Sequence, residues 1–98
     1  MTKRPDPIPD TVKASLWFAD TESIDWTGQK KMIITSILNR GTWEAVRWAH
    51  RFYGEKTVKE IVCHPQRGLW FPQALRFWLT FFEQSIQEAT FQRALFRL

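Results

Sequence analysis

Few side chains in this chain have chemical reach. Cys63 and His64 are adjacent, and His50 is the only other imidazole. A thiol beside an imidazole is the pairing used in nucleophilic catalysis. Neighbours in sequence, however, seldom aim both side chains at one point, and no paired spacing of the kind that holds zinc accompanies them. Cys63 reads instead as a small buried apolar residue. Asp20, Glu22 and Asp25 form the next cluster. Their neighbourhood is polar and acidic, which suits turns and caps better than acid–base work. The four glycines, Gly28, Gly41, Gly54 and Gly68, are isolated. No glycine-rich loop is there to cradle a phosphate. These readings point away from an enzyme and imply no metal or cofactor.

Binding chemistry is better represented. On a helix at 100° per residue, Trp43 falls on the polar side beside Arg47, with Arg51 one turn on. Arg67, Trp70 and Phe71 share a loop ahead of Pro72. Tryptophan and arginine are the residue types enriched at interface hot spots. Near the end of the chain, Phe91 and Leu95 share one apolar side. These eight residues, Trp43, Arg47, Arg51, Arg67, Trp70, Phe71, Phe91 and Leu95, are the candidate partner-binding set. Charge supports an anionic partner. Residues 1–28 carry three basic and five acidic side chains, residues 29–76 nine and three, and residues 77–98 two and two. The positive field therefore sits mid-chain, which suits nucleic acid or the acidic surface of a protein.

Two successive helices (42–53 and 57–63) followed by Arg67 suggest a helix-turn-helix, in which Arg47, Arg51, Lys56, Lys59 and Arg67 would meet phosphates. The second helix offers only Thr57, Lys59 and Glu60 to read base edges, a thin set. A membrane surface is a weaker alternative, because the apolar face lacks flanking lysines.

The elements that must position these residues read as helices. The chain has 98 residues, 44% hydrophobic, with six Trp and eight Phe, enough to fill one small core and too much for a disordered segment. A single Cys excludes an internal disulfide and suits a reduced, cytoplasmic setting. No apolar run is long enough to span a membrane, and the N-terminus lacks the apolar core of a signal peptide.

Pro5, Pro7 and Pro9 predict a flexible arm over residues 1–14, and the strip Trp17–Trp26 is expected to lie irregularly over the core. Ile33, Ile34, Ile37 and Leu38 share a helical face that ends at Gly41. Thr42 is placed to cap a helix that stops at Gly54. Thr57 and Glu60 have capping-box spacing, and Pro65 ends the helix they open. Pro72 starts a nearly all-apolar helix over 73–83, one that must be covered by its own domain or a partner. Residues 84–98 read as a C-terminal helical extension with a change of face. The expectation is an all-α fold, a compact bundle of four or five helices with an irregular N-terminal strip. The domain would span 15–83, with Trp26, Ile34, Leu38, Trp48, Phe52, Ile61, Leu75, Trp78 and Phe82 in the core.

These residues also carry a resemblance. Leu16-Trp17, Asp20, Glu22 and Ile24-Asp25-Trp26 precede Lys30-Lys31, Ile33-Ile34, Ile37-Leu38 and Arg40-Gly41. Arg47-Trp48, Tyr53-Gly54, Val58, Glu60, Val62, Arg67, Leu69, Pro72 and Phe77-Trp78 follow. Over roughly residues 16–83 the pattern resembles a family of small bacterial proteins encoded beside nucleotidyltransferase-type toxins of the AbiEii/AbiGii kind. Two positions depart from it: Phe18 stands where the family often has an acid, and Phe71 where it often has a helix-capping Ser. The resemblance implies a helical, cytoplasmic antitoxin that binds a cognate protein toxin and blocks its active site or RNA path. It names no contact residues. The alternative from the same set is a DNA-binding autoregulator acting on operator DNA.

Overall fold

The structure, a computed structural model, describes residues 8–16 and 23–97. Trp17, Phe18, Asp20 and Glu22 lie outside the described residues. Six helices form among the described residues: α1 (Asp10–Ser15), α2 (Lys30–Arg40), α3 (Trp43–Tyr53), α4 (Glu55–Cys63), α5 (Pro72–Phe81) and α6 (Glu88–Ala94). The only extended pairing among the described residues is a parallel bridge between Trp70 and Leu95. The fold is all-α, as expected, with more helices than the four or five anticipated.

The additional N-terminal helix corrects the expected arm over residues 10–14, while residues 1–7 of that arm lie outside the described residues. Pro9 takes the N-cap position and Asp10 sits in the first turn, where a carboxylate complements the helix dipole. Val12 and Leu16 are fully buried. Prolines break helix interiors but are tolerated at helix starts, so the last proline here opens a helix.

The bundle is organised around α2. Ile33, Ile34, Thr35, Ile37 and Leu38 are all buried, a wider arc than the single face expected. The reason is that α1, α3, α4 and α5 all pack on this one helix. Its C-terminus is finished from two directions. The Gly41 amide donates to the Ile37 carbonyl at 2.7 Å, and the Trp78 indole donates to the Leu38 carbonyl at 3.2 Å. Gly41 has an ordinary extended backbone; what it supplies is room. A Cβ there would lie 2.6 Å from the Ile37 carbonyl and 3.1 Å from Ser15 Oγ, where α1 crosses the end of α2.

Thr42 caps α3 as expected, its side chain accepting from the Ala45 amide. Gly54 then turns the chain with φ of 92°, a region that favours glycine. The turn is sharper than anticipated: α4 begins at Glu55 with Gly54 as its N-cap. Thr57 is thus inside the first turn and the expected capping box does not form.

Trp26 and Trp48 meet edge to face at 5.8 Å, and Phe52 stacks on Trp48 at 5.2 Å. The Tyr53 hydroxyl donates to the Trp26 carbonyl at 2.8 Å, tying α3 to the turn before α2. Of the expected core, Trp26, Ile34, Leu38, Trp48, Ile61, Leu75 and Trp78 are buried, and Phe52 and Phe82 pack half-buried against them.

The expected C-terminal extension, with its change of face, is a separate helix. α5 stops at Phe81 in a Schellman arrangement: the Glu83 amide donates to the Thr80 carbonyl at 3.0 Å and the Gln84 amide to the Leu79 carbonyl at 2.8 Å. Glu83 occupies the left-handed position with φ of 55°. The chain then reverses, forms α6 and returns to the loop before α5. There Trp70 donates to the Ala94 carbonyl at 2.9 Å, and Phe96 donates to the Trp70 carbonyl at 2.8 Å. Residues 84–97 thus dock on the domain.

Candidate functional site

α3 and α5 both rest on α2 but stand apart from each other, with no Cα of one within 8 Å of the other. Aromatic rings span the gap. Trp43 approaches Phe77 at 6.4 Å and Trp78 at 6.0 Å, both edge to face. Phe81 follows Phe77 at 6.3 Å along α5, and His50 packs against Trp78 and Phe82. The result is an open groove of about 430 Å³. Leu38 and Gly41 form its floor, Trp43 and Val46 one wall, and Ala74 and Phe77 the other. Trp43 is 57% exposed, and Phe77 and Phe81 are 49% exposed. Three large aromatic side chains half in water on adjacent helices form the kind of patch that marks an interaction site.

The charge around this groove is positive. On α3, Arg47 and Arg51 stand against one carboxylate, Glu44, whereas Arg76 of α5 turns away onto the Phe91 ring. Glu44 is engaged by the Thr11 hydroxyl at 3.0 Å. Arg47 and Arg51 are exposed and form no ion pair among the described residues.

The eight predicted residues divide. Trp43 lines the groove, while Arg47 and Arg51 are exposed on α3 and do not line it. Arg67 is exposed in the loop after α4 and is not part of the groove. Trp70 and Phe91 are corrections, because both are buried, Trp70 completely. Burying an indole removes about 150–250 Å² from water, worth about 4–6 kcal/mol. That outweighs the orphaned indole N–H of Trp70, which costs about 1–3 kcal/mol. Phe91 lies under the Arg76 guanidinium, 4.9 Å from the ring centre. Phe71 and Leu95 are half-buried.

Phe71 belongs to a second, smaller cleft of about 220 Å³ with Met32, Leu69 and Phe96. The backbone of residues 69–71 is clamped on both edges, through Trp70 on one and through Leu69 and Phe71 on the other. On one side lies the bridge to Leu95. On the other, the Asn39 side chain donates to the Leu69 carbonyl at 2.7 Å and accepts from the Phe71 amide at 3.2 Å. One amide thereby does the work of a neighbouring strand.

Phe77, Phe81 and Phe96 were absent from the predicted set. For Phe77 the signal was weak: it lies about 40° beyond Gln73 on the helical wheel, at the edge of the polar stripe of α5 and next to its apolar side.

The remaining polar candidates are occupied locally. Nδ1 of His50 donates to the Val46 carbonyl at 3.1 Å, and Nδ1 of His64 to the Glu60 carbonyl at 3.2 Å. Cys63 is half-buried rather than fully enclosed. Asp25 accepts from the Thr27 and Gly28 amides at 3.2 and 2.8 Å, the turn role its sequence context suggested. Among the described residues, no three of His, Cys, Asp and Glu converge as metal ligands, and no helix is long and apolar enough to cross a membrane.

Residues 12–62, just over half of the chain and running from α1 to the end of α4, match a family of unknown function, DUF6922. The chain belongs to that family. No curated protein and no solved structure matches it. The matched segment supplies the floor of the groove and its α3 wall. The α5 wall lies outside it.

Proposed function

We propose that this chain is a non-catalytic binding protein whose partner face is the groove between α3 and α5. The observation that carries the reading is the trio Trp43, Phe77 and Phe81, half-exposed on helices where Arg47 and Arg51 form no ion pair among the described residues. Exposed aromatics of this size are costly for a small monomer unless a partner covers them. The sequence resemblance supplies the class of partner: a nucleotidyltransferase-type toxin, neutralised in the cytoplasm by occlusion of its active site or RNA path. Such an enzyme gathers carboxylates around metal and nucleotide, which suits a positively rimmed face.

The DNA-binding alternative finds less support. The exposed face of α4 carries Glu55 and Glu60 with Lys56 and Lys59, a balanced set that gives phosphates little net attraction.

Co-purification with the toxin encoded alongside tests the reading, using the full chain and Trp43→Ala and Phe77→Ala variants. The expected result is a complex that survives moderate salt and is lost in either variant while helical circular dichroism is retained. The reading is overturned by no complex, by a complex indifferent to both variants, or by a sequence-specific shift of the promoter DNA by the chain alone.

A further inference from the structure

α5 and α6 are separated by a turn that nothing in the sequence demands. From Gln73 to Leu98 the chain contains no glycine and no proline. Glu83, Gln84, Gln87, Glu88 and Ala89 are good helix formers. The chain nevertheless leaves α5 after Phe81 with Glu83 at φ of 55°, a left-handed conformation that is costly for a residue with a Cβ. Residues 84–87 carry no regular structure before α6 begins. We infer that this turn is a hinge, and that two copies of the chain exchange residues 84–97, with 82–88 straightened into one helix running from α5 into α6. The inference draws on none of the residues of the α3–α5 groove.

The way the segment is held suits exchange. No Cα of α6 lies within 8 Å of a Cα in any other helix. Its side-chain hydrogen bonds, from Gln92 to Glu88 and from Arg97 to Gln92, stay inside the segment, so it moves as one piece. Main-chain bonds dock it. The Gly68 amide donates to the Arg93 carbonyl and the Leu69 amide to the Ala94 carbonyl, both at 3.0 Å, beside the two bonds of Trp70. Phe91 and Ala94 are buried, Phe91 under the Arg76 guanidinium. Every one of these contacts joins the segment to residues before the hinge, so the segment of a second copy makes the same set. That is the condition for domain exchange. The same facts fix the occupant. A single bridge is too short to hold a foreign strand by main-chain bonds alone, whereas another copy brings its own Phe91 and Ala94 to fill the sites beside it. Exchange leaves the apolar burial unchanged. The two forms therefore differ at the hinge and in the freedom lost on pairing. Straightening replaces the Glu83 and Gln84 turn bonds with helical ones and relieves two left-handed residues per dimer.

Refolding the full chain at millimolar concentration, followed by dilution and size-exclusion chromatography with light scattering, tests this. The expected result is a dimer that persists on dilution, because its return to monomer requires the segment to undock. In a mixed dimer with one chain isotope-labelled, the Trp70–Leu95 and Arg76–Phe91 contacts should appear between chains by NMR. Glu83→Gly relaxes the turn and weakens the straight helix, and should lower the dimerisation constant at least about tenfold. Glu83→Ala keeps the strained turn and favours the helix, and should retain the dimer. The inference is overturned by a monomer at every concentration, by a dimer equally populated in Glu83→Gly, or by a dimer whose contacts stay within each chain. A dimer lost in Phe77→Ala but not in Glu83→Gly would place the contact on the aromatic face and overturn it as well.

Discussion

Asn39 offers a quantitative test of how the C-terminal third is held. Its amide makes one exposed and one partly buried hydrogen bond to the backbone of Leu69 and Phe71. Each such bond contributes about 0.5–1.5 kcal/mol net. Asn39→Ala should therefore cost about 2 kcal/mol, which for a domain of this size lowers Tm by roughly 8–16 °C. Asn39→Asp separates the bonds from simple loss of volume. The carboxylate can still accept from Phe71 but faces the Leu69 carbonyl with an acceptor where a donor stood. At pH 7 this variant should be less stable than the alanine one. Facing a carbonyl favours the protonated carboxyl in the folded state, so its pKa rises above the ordinary value of about 4. Protonated, the side chain can donate again. The Asp variant should accordingly gain on the Ala variant as pH falls from 7 towards 4. Urea unfolding of the three proteins across that range measures all of these terms. The reasoning is refuted if Asn39→Ala unfolds with the wild-type midpoint, or if the Asp variant tracks the Ala variant at every pH.

Three other outcomes follow. Glu83→Gly should stabilise by about 0.5–1 kcal/mol in thermal or urea unfolding, because Glu83 holds a left-handed conformation that costs a non-glycine residue about 1–2 kcal/mol, partly offset by the looser unfolded chain. Gly41→Ala should destabilise by about 1–3 kcal/mol despite ordinary backbone angles, since its methyl group would press on the Ile37 carbonyl. Burial, reinforced by the Asp25 charge, pushes the Tyr53 phenol well above its usual range. The unfolded chain then releases this proton above pH about 10 while the native state keeps it, so its stabilising contribution is complete below that pH and lost above it. Urea midpoints should thus fall more steeply above pH 10 in wild type than in Tyr53→Phe, which itself should cost about 1 kcal/mol at pH 7.

Local signals were legible wherever one residue decides an element. Thr42 and Gly54 bound α3, and Pro72 opens α5, as their backbone preferences require. Where a preference was overridden, the sequence misled. Glu83 ends α5 where no glycine marks a stop, and Pro9 opens α1 in what reads as an arm. The capping-box spacing of Thr57 and Glu60 was displaced because Gly54 serves both as stop and as start. The greater losses were non-local. Nothing around Trp70 reveals that residues 94–96 will return to pair with it, so a loop tryptophan before a proline looked exposed when it is a core residue. On the site, Trp43 was found from helical phase alone. The opposite wall was not, because Phe77 and Phe81 lie in a run so apolar that phase could not separate faces turned inward from faces turned out.

The indole of Trp78 reaches back to the last turn of α2, and this has a consequence for how the family should be cut. The shared segment ends with α4, whereas the helix at its centre has one flank and its carbonyl end closed by α5. Expressed alone, residues 12–62 would leave that flank of α2 bare and the Leu38 carbonyl without its indole donor. In this chain the matched stretch is therefore shorter than the unit able to fold. Here the cover for the central helix comes from beyond the matched segment, and that cover is also one wall of the groove.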